Sequence, residues 1–219
     1  MHDEIKQYNR PKSISDIAVR RLSSYLRTLN ILEENGVDVV SSHMLANIEG
    51  VGDGLVRRDL TLFGSFGTRG VGYYVTYLKE QIIKILGLDR KWNIVLIGTG
   101  EISRVFLHSD AFKKKNFHIT KIFNDLSVNI GRKIEGLIIS DIDNLENEID
   151  PGIVDLAIVA VPPPKVQSII DRLGKIGVKG AIYFASRSVN IPKNMIVRNQ
   201  DISIEIGILT YHITKAAFD

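Results

Sequence analysis

"NIVLIGTGEI", residues 93–102, is the stretch on which the reading of the fold turns. It opens as an apolar run without polar alternation, which marks a strand buried on both faces, as in a parallel sheet. It closes in a glycine turn. Gly98, Gly100 and Ser103 fill the three small positions of G-x-G-x-x-G. The first makes the strand-to-helix turn, the second lets a pyrophosphate approach the helix start, and the third packs that helix on the sheet. The spacing alone also fits a plain tight turn. Its setting supports more, because it follows a strand, opens a helix and precedes a second strand by about 20 residues.

Downstream, "HITKIFND" (118–125), "VDLAIVAVP" (154–162) and "GAIYFAS" (180–186) read as the second, third and fourth strands. Strands alternating with helical stretches predict an α/β fold with a doubly wound parallel sheet. The second strand should end in an acceptor for the adenosine ribose hydroxyls. That acceptor is Asn124 or, if the turn is shifted, Asp125. No cluster of Arg or Lys follows to receive a 2′-phosphate, so NAD is favoured over NADP.

Upstream the pattern is helical. Ala18, Leu22, Tyr25, Leu29 and Leu32 form one apolar stripe of a helix over 15–34, with Ser15 as N-cap and Gly36 as a stop. A shorter helix begins at "SSHMLAN", capped by Ser41 or Ser42, and "IEGVGDG" leads to a third over Asp53–Phe63. These three helices outline a helix-turn-helix. On the third, Val56, Leu60 and Phe63 point inward while Arg57, Arg58 and Thr61 share the exposed side. A wet surface with an arginine paired to Asp59 is the plain alternative. The next segment, "GSFGTRGVGYY", adds a short glycine-rich hairpin with Arg69 at its tip, the form of a wing beside a recognition helix. A helix over 77–86 then leads into "GLDRKW", the expected junction between a domain at 1–86 and one at 87–200.

Bulk properties bound the partners. Net charge is +3 and the pI near 9.0. Residues 1–85 hold 11 Lys+Arg against 10 Asp+Glu, and the rest hold 17 against 15, so neither half is a basic domain. Any nucleic-acid footprint must come from where a few cations sit. The absence of cysteine excludes disulfides and thiolate metal sites. The five histidines show no metal-ligand spacing, and no membrane span is expected. The polar N-terminal stretch "MHDEIKQYNRPKS" lacks a signal-peptide core, which predicts a cytoplasmic location.

Tyr211 and Lys215 have the Tyr-x-x-x-Lys spacing of short-chain dehydrogenases, but too little chain follows to build a site around them. No catalytic or metal-binding residue is assigned. The surrounding segment, "DISIEIGILTYHIT", alternates as a strand through Ile202, Ile204, Ile206 and Ile208. It equally fits a helix through Ile202, Ile206, Leu209 and Ile213.

The stretches "VRRDLTLFGSFGTRGVGY", "ILGLDRKWNIVLIGTG", "GRKIEGL", "VNIP" and "LTYHI" together resemble Rex, the bacterial redox-sensing transcriptional repressors, over about residues 14–213. The resemblance implies a homodimer of chains that each carry a winged helix, a Rossmann domain and a C-terminal helix (201–219) exchanged with the partner. It implies a palindromic operator in double-stranded DNA, read by Ser41, Ser42, His43, Arg57, Arg58 and Thr61, with Arg69 and Tyr73 in the wing. It implies NADH or NAD as the sensed ligand, held by Gly98, Thr99, Gly100, Glu101, Ile102, Ser103, Asn124 or Asp125, Ala160, Val161 and Pro162. Asp201 and Tyr211 would lie near the nicotinamide or the domain joint. Binding of NADH would draw the subunits together and move the heads off their half-sites.

The chain departs from the family's pattern at several positions. Ser103 stands for the third glycine, Asn124 for the ribose aspartate, and Ser186 and Arg187 for a Pro and a small apolar residue. Thr68 stands for a basic residue in the wing, and Ser15 and Ser23 where prolines are common. Two other readings compete: an NAD-dependent oxidoreductase with a helical extension, and a DNA-binding protein whose Rossmann domain only dimerises. The first leaves the arginine helix and wing without a purpose.

Overall fold

The computed structural model describes residues 14–216, and the polar N-terminal stretch read above lies outside them. The chain divides between Arg90 and Lys91 into two compact units. The first opens with α1 (Asp16–Glu34), whose cap is Ser15, its Oγ accepting from the Ala18 N–H at 3.3 Å. After β1 (Val39–Val40) comes α2 (Ser42–Glu49). Its cap is Ser41 rather than Ser42, accepting from the Met44 N–H at 3.0 Å. Then follow α3 (Asp53–Phe63), β2 (Tyr73–Tyr74) and α4 (Val75–Ile85). Leu22, Tyr25 and Leu29 of α1 are buried against Leu45, Val56, Leu60, Leu78 and Ile82. β1 and β2 pair antiparallel, Val39 opposite Tyr74, and a bridge between Thr68 and Gly72 closes the turn that carries Arg69. This is a head of four described helices with a short wing. α4 begins at Val75, two residues before the expected start, because the Val75 N–H bonds to the Asp38 carbonyl at 2.9 Å and anchors the first turn to the strand pair.

The second unit runs β3 (Trp92–Ile97), α5 (Glu101–Leu107), α6 (Asp110–Lys114), β4 (Phe117–Asn124), β5 (Lys133–Ile134) and β6 (Leu137–Asp141). A 3-10 turn (Ile142–Asn144) leads through α7 (Leu145–Glu148) to β7 (Leu156–Val159), α8 (Pro163–Ile176), β8 (Gly180–Tyr183), β9 (Ile196–Asn199) and α9 (Ile202–Ala216). The strand order is β5-β6-β4-β3-β7-β8-β9, all parallel except β5 against β6. Sequence reading found four of these seven strands and missed β5, β6 and β9. Side chains of β3 alternate between two cores. Val95 and Ile97 pack with α7 and α8, while Ile94 and Leu96 pack with Leu107, Ile122 and Ile139. The order reverses at β3, with β4 on one side and β7 on the other, and a crevice outside the strand ends forms at such a point.

The C-terminal segment is a helix, not a strand. None of its residues is buried: Ile202, Ile204, Ile206, Ile208, Leu209, Tyr211 and Ile213 are each 49–70% exposed. Apolar residues all round a helix belong in an interior, and the described residues of this chain provide none for it. No described helix is long and apolar enough to cross a membrane.

Candidate functional site

In the first unit α3 presents its polar side to solvent, held from behind by a buried carboxylate. Asp59 is 1% exposed. Arg21 reaches it from α1 with Nε at 2.5 Å and Nη2 at 2.7 Å, and the Tyr25 hydroxyl donates at 2.8 Å. The reading that paired Asp59 with Arg57 or Arg58 is therefore corrected. The carboxylate turns inward because Tyr25, a phenol within the apolar stripe, needs an acceptor when buried. That phenol was the sequence signal for the pair. Burial alone would push the Asp59 carboxyl up, but hydrogen bonds from Arg21 and Tyr25 and the charges of Arg21 and Arg58 hold it below its ordinary value. Burial, with Asp59 alongside, pushes the Tyr25 phenol up.

A depressed folded-state value stabilises above the unfolded carboxylate range, near 4, and is lost as pH falls through the folded value beneath it. Amide exchange in α1 and α3 is expected to accelerate as pH drops below about 4, once the intrinsic pH dependence of exchange is removed. The acceleration should be blunted in Asp59→Asn, which has no proton to take up.

Arg57 is tied down: its Nη1 lies 2.6 Å from Asp53 and 3.1 Å from the Ser42 hydroxyl. Its planar fork is thus ordered beside the start of α2. Among the described residues neither Arg58 nor Arg69 has a hydrogen bond or ion pair, and both are exposed. Thr61 donates to the Arg57 carbonyl at 2.7 Å, and His43 lies 3.2 Å from Asn47. Tyr73 sits on the core side of the wing, half-buried, its phenol pushed up by burial; Tyr74 is the outward neighbour. Two unpaired cations, an ordered guanidinium and short polar groups on one helix and its wing suit phosphates and base edges.

In the second unit the site is the turn after β3. Gly98 has φ 103°, and a Cβ there would drive into the Ala160 carbonyl oxygen. The turn is stitched to both neighbouring strands, Gly98 N–H to the Phe123 carbonyl and Ala160 N–H to the Ile97 carbonyl, each at 2.8 Å. Gly100 caps α5, and nothing lies within 4 Å of where its side chain would be, which leaves room for a pyrophosphate. Ser103 is fully buried with its Oγ unpartnered, so it fills the packing position of a third glycine at the cost of one unsatisfied hydroxyl. Glu101 and Ile102 are exposed on the first turn of α5. These residues fit a dinucleotide.

Asn124 and Asp125 part company at the end of β4. Asn124 is buried, and its amide donates to Thr99 Oγ1, which also accepts from Asn129 at 3.1 Å. Its oxygen accepts from the Asp125 and Leu126 N–H groups at 2.8 and 3.3 Å. Asp125 is exposed and paired with Lys165, in the first turn of α8, a residue the sequence reading did not single out. Ala160, Val161 and Pro162 line the exit of β7, where Pro162 caps α8. Tyr211 lies on exposed α9, beside His212 at 5.3 Å between ring centroids, and is not brought to the glycine turn by any contact of its own chain. Asp201 caps α9, accepting from the Ser203 N–H at 3.0 Å and hydroxyl at 2.6 Å and from Ser186 at 3.2 Å. The Ser203 bonds hold its carboxyl below the usual range.

Comparison with known proteins joins the two halves. Residues 13–61 match the family described as putative DNA-binding protein N-terminus, and residues 89–187 match the CoA binding domain. The chain is 38% identical over 202 residues to the redox-sensing transcriptional repressor Rex of Carboxydothermus hydrogenoformans, covering 92% of this chain and 97% of that one. It is 37% identical over 200 residues to that of Syntrophomonas wolfei, covering 91% and 95%. Its fold is similar to RSP in complex with β-NAD+ and operator DNA, with TM-score 0.88 and 30% identity over 95% of this chain and 96% of that one. It is similar to RSP in complex with β-NADH, with TM-score 0.85 and 28% identity over 95% and 98%.

Proposed function

Because the chain belongs to the Rex family of redox-sensing transcriptional repressors, we propose that its head grips a palindromic operator and lets go when NADH fills the crevice of its second unit. It is a regulator and not an enzyme. One observation carries the reading: an α3 with two unpaired outward arginine positions, counting the wing, shares a chain with a glycine turn shaped for a pyrophosphate. Arg57, Arg58 and Thr61 enter the major groove, with Ser41, Ser42 and His43 on its edge. Arg69 follows the flanking backbone. α9 crosses to a second copy, whose interior covers it, and brings Tyr211 to the partner's side of the assembly. The protein works in the cytoplasm, where its operator is.

Release requires that NADH prefer the state in which the heads leave their half-sites. A hundredfold preference corresponds to about 2.7 kcal/mol of coupling. The test is fluorescence anisotropy of a labelled palindromic operator, titrated with NADH and separately with NAD. Release by NADH, with NAD weak or opposing, supports the reading. Operator binding that neither dinucleotide disturbs sinks the sensing half of it.

Arg58→Ala is expected to weaken operator binding about tenfold to a hundredfold and to reduce the salt slope by about one. NADH affinity should stay as it was. Equal loss of both would mean that the two units are not separate modules.

A further inference from the structure

The β5–β6 hairpin turns on two residues of positive φ, Glu135 at 49° and Gly136 at 81°. Glycine takes that conformation freely, whereas a glutamate there is strained, and strain of this kind collects where ligands are held. Asparagine or glycine would close the same turn with less strain. What the glutamate adds is a carboxylate on the wall of a cavity. Its neighbour His108 does not account for it. His108 Nε2 stands 3.5 Å from Glu135 Oε1, with both side chains about half exposed, and such a pair contributes little.

The cavity has a volume of about 190 Å³. Its walls include Phe106 of α5, Phe112 of α6, Phe117 and Ile119 of β4, Leu137 of β6, and Glu135. Phe112 lies 5.5 Å from Phe106 and 5.1 Å from Phe117 between ring centroids, so three rings are gathered at one space. β6 pairs with β4 only from Ile122 onward, which leaves residues 117–121 without a strand on that side and the cavity unfilled there. Phe106 is at the far end of α5 from Gly100, so the cavity is separate from the glycine turn.

Size and chemistry together define an occupant. An apolar cavity of about 150 Å³ accepts a benzene, so this one has room for a second fused ring. Phenylalanine rings favour another ring edge-on or offset, and a carboxylate beside them accepts an N–H. We propose that this cavity binds a small fused-ring aromatic molecule carrying an N–H donor. Its rings lie among the three phenylalanines and its N–H meets the Glu135 carboxylate. The site is independent of both operator and dinucleotide.

The test uses the full-length protein and a ring-fluorinated indole followed by fluorine NMR, with fluorobenzene as the probe that lacks the N–H. Saturable binding of the indole at about 1 mM or tighter is expected, with fluorobenzene at least fivefold weaker. Leu137→Trp, which fills the cavity, should weaken the indole more than tenfold. Glu135→Gly should weaken it about fivefold to tenfold while the melting temperature holds or rises, because the strained turn is relieved. A residue kept only for the fold would show the opposite pattern, a lower melting temperature with binding intact. That pattern overturns the proposal, as does equal binding of the two probes or no saturable binding of the indole. Indole binding undiminished in Leu137→Trp would place the probe elsewhere and overturn it too.

Discussion

Gly98→Ala is expected to yield a repressor that holds its operator in the presence of NADH. A side chain at φ 103° costs about 1–2 kcal/mol in backbone strain alone. The larger effect is steric, since the new Cβ meets main-chain oxygen at Ala160, which cannot rotate away. The turn must move. Moving it breaks the bonds to Phe123 or from Ala160 and carries Thr99 off Asn124. NADH affinity should fall a hundredfold or more, equivalent to about 2.7 kcal/mol. Operator binding without dinucleotide should change little. Gly100→Ala is the control for a damaged fold, because nothing lies within 4 Å of its new methyl. It should leave thermal stability intact and still impair NADH binding. Normal NADH release in both variants would move the ligand away from this turn.

The second large effect lies in the head and touches no predicted DNA contact. Asp59→Ala removes the acceptor of two Arg21 bonds and of the Tyr25 hydroxyl at once. Removing one partner of a buried ion pair typically costs about 3–5 kcal/mol, because the other is left uncompensated. Arg21 keeps a quarter of its side chain in water, which places the expectation toward the lower figure. α1 would then no longer fix the angle of α3. Amide protection in α1 and α3 should fall by about a hundredfold while the strands β3, β4 and β7 keep theirs. Operator affinity should fall with it. Arg58→Ala should lose operator affinity with protection unchanged, so the two variants separate support of the helix from contact through it. Unchanged protection in Asp59→Ala would show that apolar packing alone sets α3.

Much of this architecture was legible because its signals are local or periodic. The α1 stripe, the Ser15 cap, the turn at Gly98 and four buried strands each declare themselves within a dozen residues. β5 and β6 did not. Their hairpin turns through Glu135 (φ 49°) and Gly136 (φ 81°), both left-handed, but glutamate is not a residue that advertises such a turn. β9 lies at the sheet edge with Ile196 exposed, so it lacks the unbroken apolar run of the central strands. The site residues divide along the same line. Glycines that shape a turn can be read from spacing. The engagement of Arg21 with Asp59, 38 residues apart, and of Lys165 with Asp125, 40 apart, depends on the folded topology. A charged residue within a helix reads as surface until its partner is known, which is why Asp59 entered the sequence reading only as an alternative partner for Arg57 or Arg58.

α9 has a consequence for inheritance. Under the proposed exchange, a cell carrying two versions of this gene would mix their products at assembly, since each chain's last helix is satisfied only by another chain. A version with a broken head and an intact α9 would still be recruited. At equal expression half of the dimers would then be mixed and a quarter wholly defective, so the lesion would be dominant. A version truncated before Ile202 would be left out of the exchange, and its loss would be recessive.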